Sequence, residues 1–173
     1  MKTLINCRKL FPLGLPALAV CLWIVTTGLA QAGQPAGWQS LAEGGAQVEL
    51  APAGPGTDGL RLTVRQTGKR FGLVCTAPGV DRAEPGQWYD LSFKARTDAQ
   101  KTFALTVSLE SPNGRVVAAR TTLPEVGRTD WTPYSVALHV RQPVAHGRLV
   151  IALADTGTLW LADLSLGLRA GTH

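Results

Sequence analysis

Residues 88–96 read Trp-Tyr-Asp-Leu-Ser-Phe-Lys-Ala-Arg. From Tyr89 onward, apolar and polar side chains alternate, the period-two pattern of a β-strand with one buried face. The same alternation recurs at residues 60–65, 102–110 and 134–141, and Leu149, Ile151 and Leu153 continue the series. No segment after the N-terminal leader has a helical period, so the sequence predicts an all-β fold.

Turn signals separate these stretches at the short spacing typical of all-β domains. The clearest is Ser111-Pro112-Asn113-Gly114, where Asn-Gly favours the positive φ angles of a tight hairpin. We expect nine or ten strands, which predicts a two-sheet antiparallel β-sandwich. The expected strands lie near Trp38 and at 47–51, 59–66, 71–77, 87–97, 102–110, 115–123, 131–140, 148–154 and 159–168.

The N-terminal leader has the composition of a signal peptide. Its basic start precedes an apolar run from Leu10 to Leu29, and Ala30-Gln31-Ala32 follows with small residues at the cleavage positions. We expect cleavage after Ala32 and a secreted or periplasmic domain at 38–169, preceded by a flexible start at 33–37. Two alternatives stay open: an uncleaved membrane anchor, or a lipoprotein acylated at Cys21.

The charge of the domain limits the classes of partner that we expect, and its cysteine content limits the disulfides that it can form. The chain has 17 basic and 12 acidic residues, and three of the basic ones lie before residue 33, which leaves 14 against 12, a net of +2. A domain so nearly balanced predicts no nucleic-acid partner. Outside the leader Cys75 stands alone, so we expect a small buried side chain and no internal disulfide.

Four motifs resemble, in order, those of the CenC-type carbohydrate-binding modules of families 4, 9 and 22. Residues 86–96 resemble the "G-x-x-Y-x-L-S-F-x-A-K/R" strand, and residues 131–134 resemble "W-x-x-Y". Residues 159–166 resemble the closing "I-D-D-V-x-L" strand, and residues 59–62 resemble the beginning of "G-x-x-x-L-x-V". The resemblance implies a galactose-binding-like jelly roll.

The resemblance also implies a concave sheet face that binds a polysaccharide and a structural calcium ion far from it. Such modules are often attached to glycoside hydrolases, a role that this chain could play only in trans. Two departures bear on the metal: the N-terminal "N-x-x-F-E" signature is missing, and Ala162 replaces the first Asp of "D-D". Asp163 remains as the candidate calcium ligand, with a pairing role at the strand end as the alternative.

The sequence predicts no enzyme. The three histidines have no metal-ligand spacing, and no phosphate-binding loop or nucleophile elbow is present. A glycosidase needs two carboxylates across a cleft, and Glu110 is the only carboxylate that we place late in a strand on its polar face.

Sugar binding needs an aromatic ring for the apolar face of a pyranose and polar side chains for its hydroxyls. Trp88 is the candidate stacking platform, because it lies opposite the apolar side of its strand. Trp131, Tyr134 and Trp160 are assigned to the core. The candidate hydrogen-bonding residues lie on polar faces of strands: Lys94, Arg96, Glu110, His139 and Arg141.

A second interpretation remains open. Trp88 can equally cover an edge of the sandwich beneath a loop, and most other rings are in core register. The domain would then be a structural or protein-binding β-sandwich of the envelope without glycan specificity. The two interpretations differ in whether Trp88 and Arg96 line one open groove.

Overall fold

The computed structural model describes residues 37–54, 58–98 and 101–170, without the side chains of residues 77–79. The predicted signal peptide and all but the last residue of the predicted flexible start lie outside the described residues. No helix in the described part of the chain is long and apolar enough to cross a membrane.

Ten strands make up the described domain, and the predicted all-β class is confirmed. Their positions agree closely with the alternating stretches of the sequence. The strands are β1 (Trp38–Glu43), β2 (Gln47–Pro52), β3 (Gly59–Gln66), β4 (Arg70–Ala83), β5 (Trp88–Thr97), β6 (Phe103–Glu110), β7 (Val117–Val126), β8 (Thr132–His139), β9 (Val144–Leu153) and β10 (Gly157–Leu168).

The strands form two antiparallel five-stranded sheets, which confirms the predicted sandwich. Sheet A has the order β1-β4-β9-β6-β7, and sheet B has the order β2-β3-β10-β5-β8. Most neighbours in each sheet are distant in sequence, as in a jelly roll, where successive strands pass from one sheet to the other.

The core lies between the sheets because alternate side chains of every central strand point inward. On β5 the inward residues Tyr89, Leu91, Phe93 and Ala95 are at most 6% exposed. Cys75 belongs to the same core at 2% exposed, as predicted. Outward residues of the two sheets form two surfaces, called here face A and face B.

Two strands extend by several residues beyond a predicted bound at one end. β4 continues to Ala83 and β9 begins at Val144, where the sequence predicted an end at 77 and a start at 148. Residues 77–79 read Ala-Pro-Gly, a turn signal, but the ladder continues past them through an irregularity between Cys75 and Val80. A β-bulge of this kind absorbs extra residues of one strand without ending its pairing.

Candidate functional site

Face B holds four of the predicted sugar-binding residues. Trp88, Lys94 and Arg96 lie on the outward side of β5, and His139 lies opposite Trp88 on β8. The imidazole of His139 stacks on Trp88, with 4.5 Å between ring centroids and 20° between planes. The guanidinium of Arg169 lies 5.5 Å from the Trp88 ring centroid.

The partners of Trp88 come from its two sides, because β5 lies between β8 and β10. Arg169 is held in place by Asp90, to which its Nε donates at 3.0 Å, and this contact lowers the pKa of the Asp90 carboxyl. Both flat faces of the indole are therefore covered from within the molecule. A pyranose can stack on Trp88 only after His139 or Arg169 moves away.

A second stack lies at the other end of β5. The Arg96 guanidinium lies 4.9 Å from the Trp160 ring centroid and 5.2 Å from that of Trp131. The assignment of Trp131 and Trp160 to the core is wrong, since both are partly exposed and contact Arg96. On β10 it is Leu159 and Leu161 that point inward, which turns Trp160 outward. Tyr134 does pack against the core and stacks on Phe93.

Glu110 lies on the other sheet, so it shares no site with Trp88. It is on the outward side of β6, yet it is 0% exposed. Both carboxylate oxygens bind Arg70, whose Nη1 donates to Oε2 at 3.0 Å and whose Nη2 donates to Oε1. The Ser108 hydroxyl donates to Oε1 at 2.5 Å, and Nη2 of Arg148 lies 3.6 Å from Oε2.

These contacts decide the charge of the Glu110 carboxyl. Burial alone would raise its pKa, but the hydrogen bonds from Arg70 and Ser108 and the charge of Arg148 lower the pKa below its ordinary value. The carboxylate is therefore ionised near neutral pH. Two guanidiniums share one carboxylate, so the cluster carries a net positive charge.

The contact between Arg70 and Glu110 also shows that face A is curved. Val150 of β9 pairs with Val74 of β4 on one side and with Ser108 of β6 on the other. Glu110, two residues after Ser108, is therefore level with residue 76 of β4. Arg70 lies six residues before that position along β4. In a flat sheet the two Cα atoms would be about 22 Å apart, far beyond the reach of an arginine and a glutamate. Face A is therefore concave along the line that joins them.

A pocket of about 300 Å³ lies on this concave face, between β1, β4, β9 and the β6–β7 turn. Its apolar part includes Leu41 and Val74, which form a small outward cluster with Val150 that is separate from the core. Polar groups surround this floor, and Pro112 of the hairpin turn forms part of the wall. The polar lining residues are Gln39, Ser40, Thr76, His146 and Arg148.

Arg141 lies apart from both groups. It follows β8, and its backbone N–H donates to the carbonyl of Ala118 at 2.7 Å. Its side chain borders a shallow depression of about 450 Å³ along β7. The predicted residues are thus divided among face B, face A and the β7 edge of the sandwich.

Asp163 occupies a bulge in β10, with φ of 53°. Its Oδ2 lies 2.8 Å from Nζ of Lys94, and it lines a pocket of about 200 Å³ together with Asp58. No group of three or more His, Cys, Asp or Glu among the described residues could hold a metal. Calcium takes six to eight oxygen ligands, so two carboxylates, one of them already paired with an ammonium, do not fit the ion.

We therefore expect calcium to leave the stability of the domain unchanged. Adding millimolar CaCl2 should shift the melting temperature no more than MgCl2 does, because Lys94 supplies the positive charge beside Asp163. Differential scanning calorimetry in each salt and in EDTA measures the effect. A melting temperature raised by calcium alone would show that the ion binds in spite of Lys94.

Comparison with known proteins identifies the fold. No family model matches the chain, and no curated protein matches it. Among solved structures, an arabinose-bound GH51 α-L-arabinofuranosidase is similar with a TM-score of 0.63 and 21% identity, over 78% of this chain and 25% of that one. A family 4 carbohydrate-binding module is similar with a TM-score of 0.57 and 16% identity, over 80% of this chain and 91% of that one.

A family 22 xylan-binding domain from Paenibacillus barcinonensis is similar with a TM-score of 0.51 and 16% identity, over 80% of this chain and 89% of that one. The chain has the jelly-roll fold of these carbohydrate-binding modules. It spans only a quarter of the length of the arabinofuranosidase, but about nine-tenths of each separate module.

Sequence reasoning missed two residues of face A. Arg148 has a weak signal, because it begins the predicted strand 148–154 and a charged side chain there favours the solvent side. Arg70 has none, because it begins β4 and its partner Glu110 is two strands away. Only the folded sheet brings these side chains together.

Proposed function

We propose that the domain is a non-catalytic carbohydrate-binding module that holds a glycan on the concave face A. The observation that carries the proposal is the pocket beside the Arg70–Glu110–Arg148 cluster. The similarity in fold to carbohydrate-binding modules over about four-fifths of the chain supports it.

The lining of the pocket suits a sugar. Leu41 and Val74 offer an apolar floor for the C–H face of a pyranose, and the surrounding polar groups offer partners for its hydroxyls. Polar side chains outnumber apolar ones in this lining, which suits a ligand rich in hydroxyl groups. Ligand pockets commonly have volumes of about 300 Å³ and above. The pocket is therefore large enough for one or two sugar units of a chain that continues along the face.

The same geometry favours binding over hydrolysis. A glycosidase needs one carboxyl group to protonate the leaving oxygen and a second to act as nucleophile or base. The described lining of the pocket contains no carboxylate, and Glu110 beside it is held ionised by Arg70 and Ser108. A carboxylate bound in this way has no proton to donate.

The proposal includes export, for which residues 1–32 supply the signal-peptide composition. An exported binding module would hold its glycan for its own sake or for a glycoside hydrolase acting in trans. The glycan would then belong to the cell envelope or to the surroundings of the cell.

The test of the proposal is a binding measurement with a variant that fills the pocket. Thr76 is exposed and lines the pocket, so Thr76→Trp places an indole there at little expected cost in stability. We expect the wild-type protein to bind at least one polymer of a panel of neutral and acidic polysaccharides in isothermal titration calorimetry. Thr76→Trp should weaken that binding by about tenfold or more, equivalent to about 1.4 kcal/mol.

The matched control is Ser135→Trp, which adds the same indole to an exposed position on face B. It should leave affinity unchanged. Trp88→Ala tests face B directly: loss of binding there, with Thr76→Trp unaffected, would move the site to the stacks of sheet B. A folded wild-type protein that binds no polysaccharide would contradict the proposed function.

A further inference from the structure

Arg148 is a guanidinium whose hydrogen bonding is incomplete. Its side chain is 19% exposed, and its Nη2 lies 3.6 Å from Oε2 of Glu110, beyond hydrogen-bond distance. Its Nε is buried and has no hydrogen-bond partner. A buried donor that has lost water without gaining a partner costs free energy. Arg148 can therefore donate to an additional acceptor.

The neighbouring carboxylate cannot meet this need. Glu110 already accepts two hydrogen bonds from Arg70 and one from Ser108. Gly114 of the β6–β7 turn closes over the other side of the cluster, because a Cβ at that position would lie 2.7 Å from Nη2 of Arg148. Any new partner must therefore approach Arg148 from the pocket.

The pocket itself favours an anion. Its described lining includes Arg148 and His146 but no aspartate or glutamate. On face B, by contrast, Lys94, Arg65 and Arg169 are each paired with a carboxylate, those of Asp163, Glu49 and Asp90. Arg61 and Arg96 on face B also have a buried Nε without a hydrogen-bond partner. Of these three arginines, Arg148 is the one that lines the pocket of about 300 Å³.

We infer that the glycan bound on face A is acidic and that a uronate carboxylate of it pairs with Arg148. The inference rests on the proposed function and names its ligand class. The planar fork of a guanidinium matches the two oxygens of a carboxylate and forms charge-assisted hydrogen bonds with them. A neutral sugar hydroxyl offers one oxygen and no charge, so the pocket discriminates against neutral polymers.

The first arm of the test changes only the ligand. Polygalacturonate and the same polymer after reduction of its carboxyl groups differ in charge while keeping the sugar ring and linkage. We expect the wild-type protein to bind the uronate polymer roughly ten- to a hundredfold more tightly, the range of a charge-assisted hydrogen bond. Equal affinity for the two polymers would overturn the inference and leave the proposed function standing.

The second arm changes the protein. Arg148→Gln should bring the affinity for polygalacturonate down to that for the reduced polymer, and Arg148→Lys should recover only part of it. Arg65→Gln removes the same charge from an exposed, ion-paired position on face B and should bind as the wild type does. An equal loss in Arg65→Gln and Arg148→Gln would show unspecific attraction to net charge and would overturn the assignment.

Two further outcomes are decisive. If Arg148→Gln does not fold, the comparison of the two polymers still decides the inference, because it needs no variant. A sulfated glucan that binds as tightly as the uronate polymer would overturn the carboxylate assignment. Failure to bind any polymer, neutral or acidic, would instead contradict the proposed function itself.

Discussion

Glu110→Gln is expected to destabilise the domain by about 3 kcal/mol or more, since removing one partner of a buried ion pair leaves the other charge uncompensated. Glutamine keeps the shape of the side chain but loses the negative charge between Arg70 and Arg148. These guanidiniums have side chains only 24% and 19% exposed, so water cannot replace the lost partner fully. Urea denaturation followed by circular dichroism measures the change.

Glu49→Gln is the matched control. Glu49 also contacts two arginines, Arg65 at 3.0 Å and Arg61 at 3.6 Å, but its side chain is 47% exposed on face B. Exposed ion pairs contribute little because water screens them, so the stability of this variant should remain close to that of the wild type. Equal destabilisation by the two substitutions would show that burial of the Glu110 cluster does not increase its contribution to stability.

The effect of Glu110→Gln should depend on pH in a defined direction. Burial opposes ionisation, but Arg70, Ser108 and Arg148 together lower the pKa of Glu110 in the folded state below its ordinary value of 4.5. A group with a lowered folded-state pKa contributes its full stability above its unfolded-state pKa, and this contribution disappears as the pH falls through the folded-state pKa. The difference in free energy of unfolding between the wild type and Glu110→Gln should therefore be constant from pH 6 to 8. It should become smaller below about pH 4.5.

The fold could be predicted because its signals are local. Alternation along β3, β5, β6 and β8, together with the turn residues between strands, was sufficient to predict an all-β sandwich. The strand ends that were predicted wrongly lie near residues 77–79, where the sequence has a local turn signal. β4 continues through these residues because β9 pairs with β4 both before and after them. The misplaced rings have a similar cause, since Trp160 in an apolar strand shows no local sign of which side faces solvent.

The candidate site could be predicted only in part, because it depends on contacts between distant strands. Alternation placed Glu110 and Trp88 on outward faces, but it could not show that the two faces belong to different sheets. Nor could it show that Glu110 is fully buried and hydrogen-bonded to Arg70, 40 residues away. Sheet order and curvature decide both points, and neither has a local signature in the sequence.

Gly72→Ala is expected to destabilise the domain by about 3 kcal/mol or more, from overpacking and backbone strain together. Gly72 lies on β4, next to the edge strand of sheet A, with φ of 148°, between Leu41 of β1 and Ala152 of β9. A Cβ there would lie 2.1 Å from the carbonyl oxygen of Ile151 and 2.9 Å from Cα of Ala152. Both are backbone atoms of the paired strand, so only a separation of β4 from β9 can relieve the clash.

Gly54→Ala separates these two causes. Gly54 has a similar φ of 137°, but a Cβ there would meet nothing within 4 Å. Gly54→Ala should lower the free energy of unfolding only by the backbone strain, of the order of 1 kcal/mol. The additional loss of stability in Gly72→Ala is then due to the close approach of β4 and β9. Because Val74 and Arg148 of the pocket lie on these same two strands, a Gly72→Ala protein that still folds should also bind glycan more weakly. Unchanged stability and binding would mean that the strands can separate freely, and the concave face would then not be the rigid surface on which the proposed site depends.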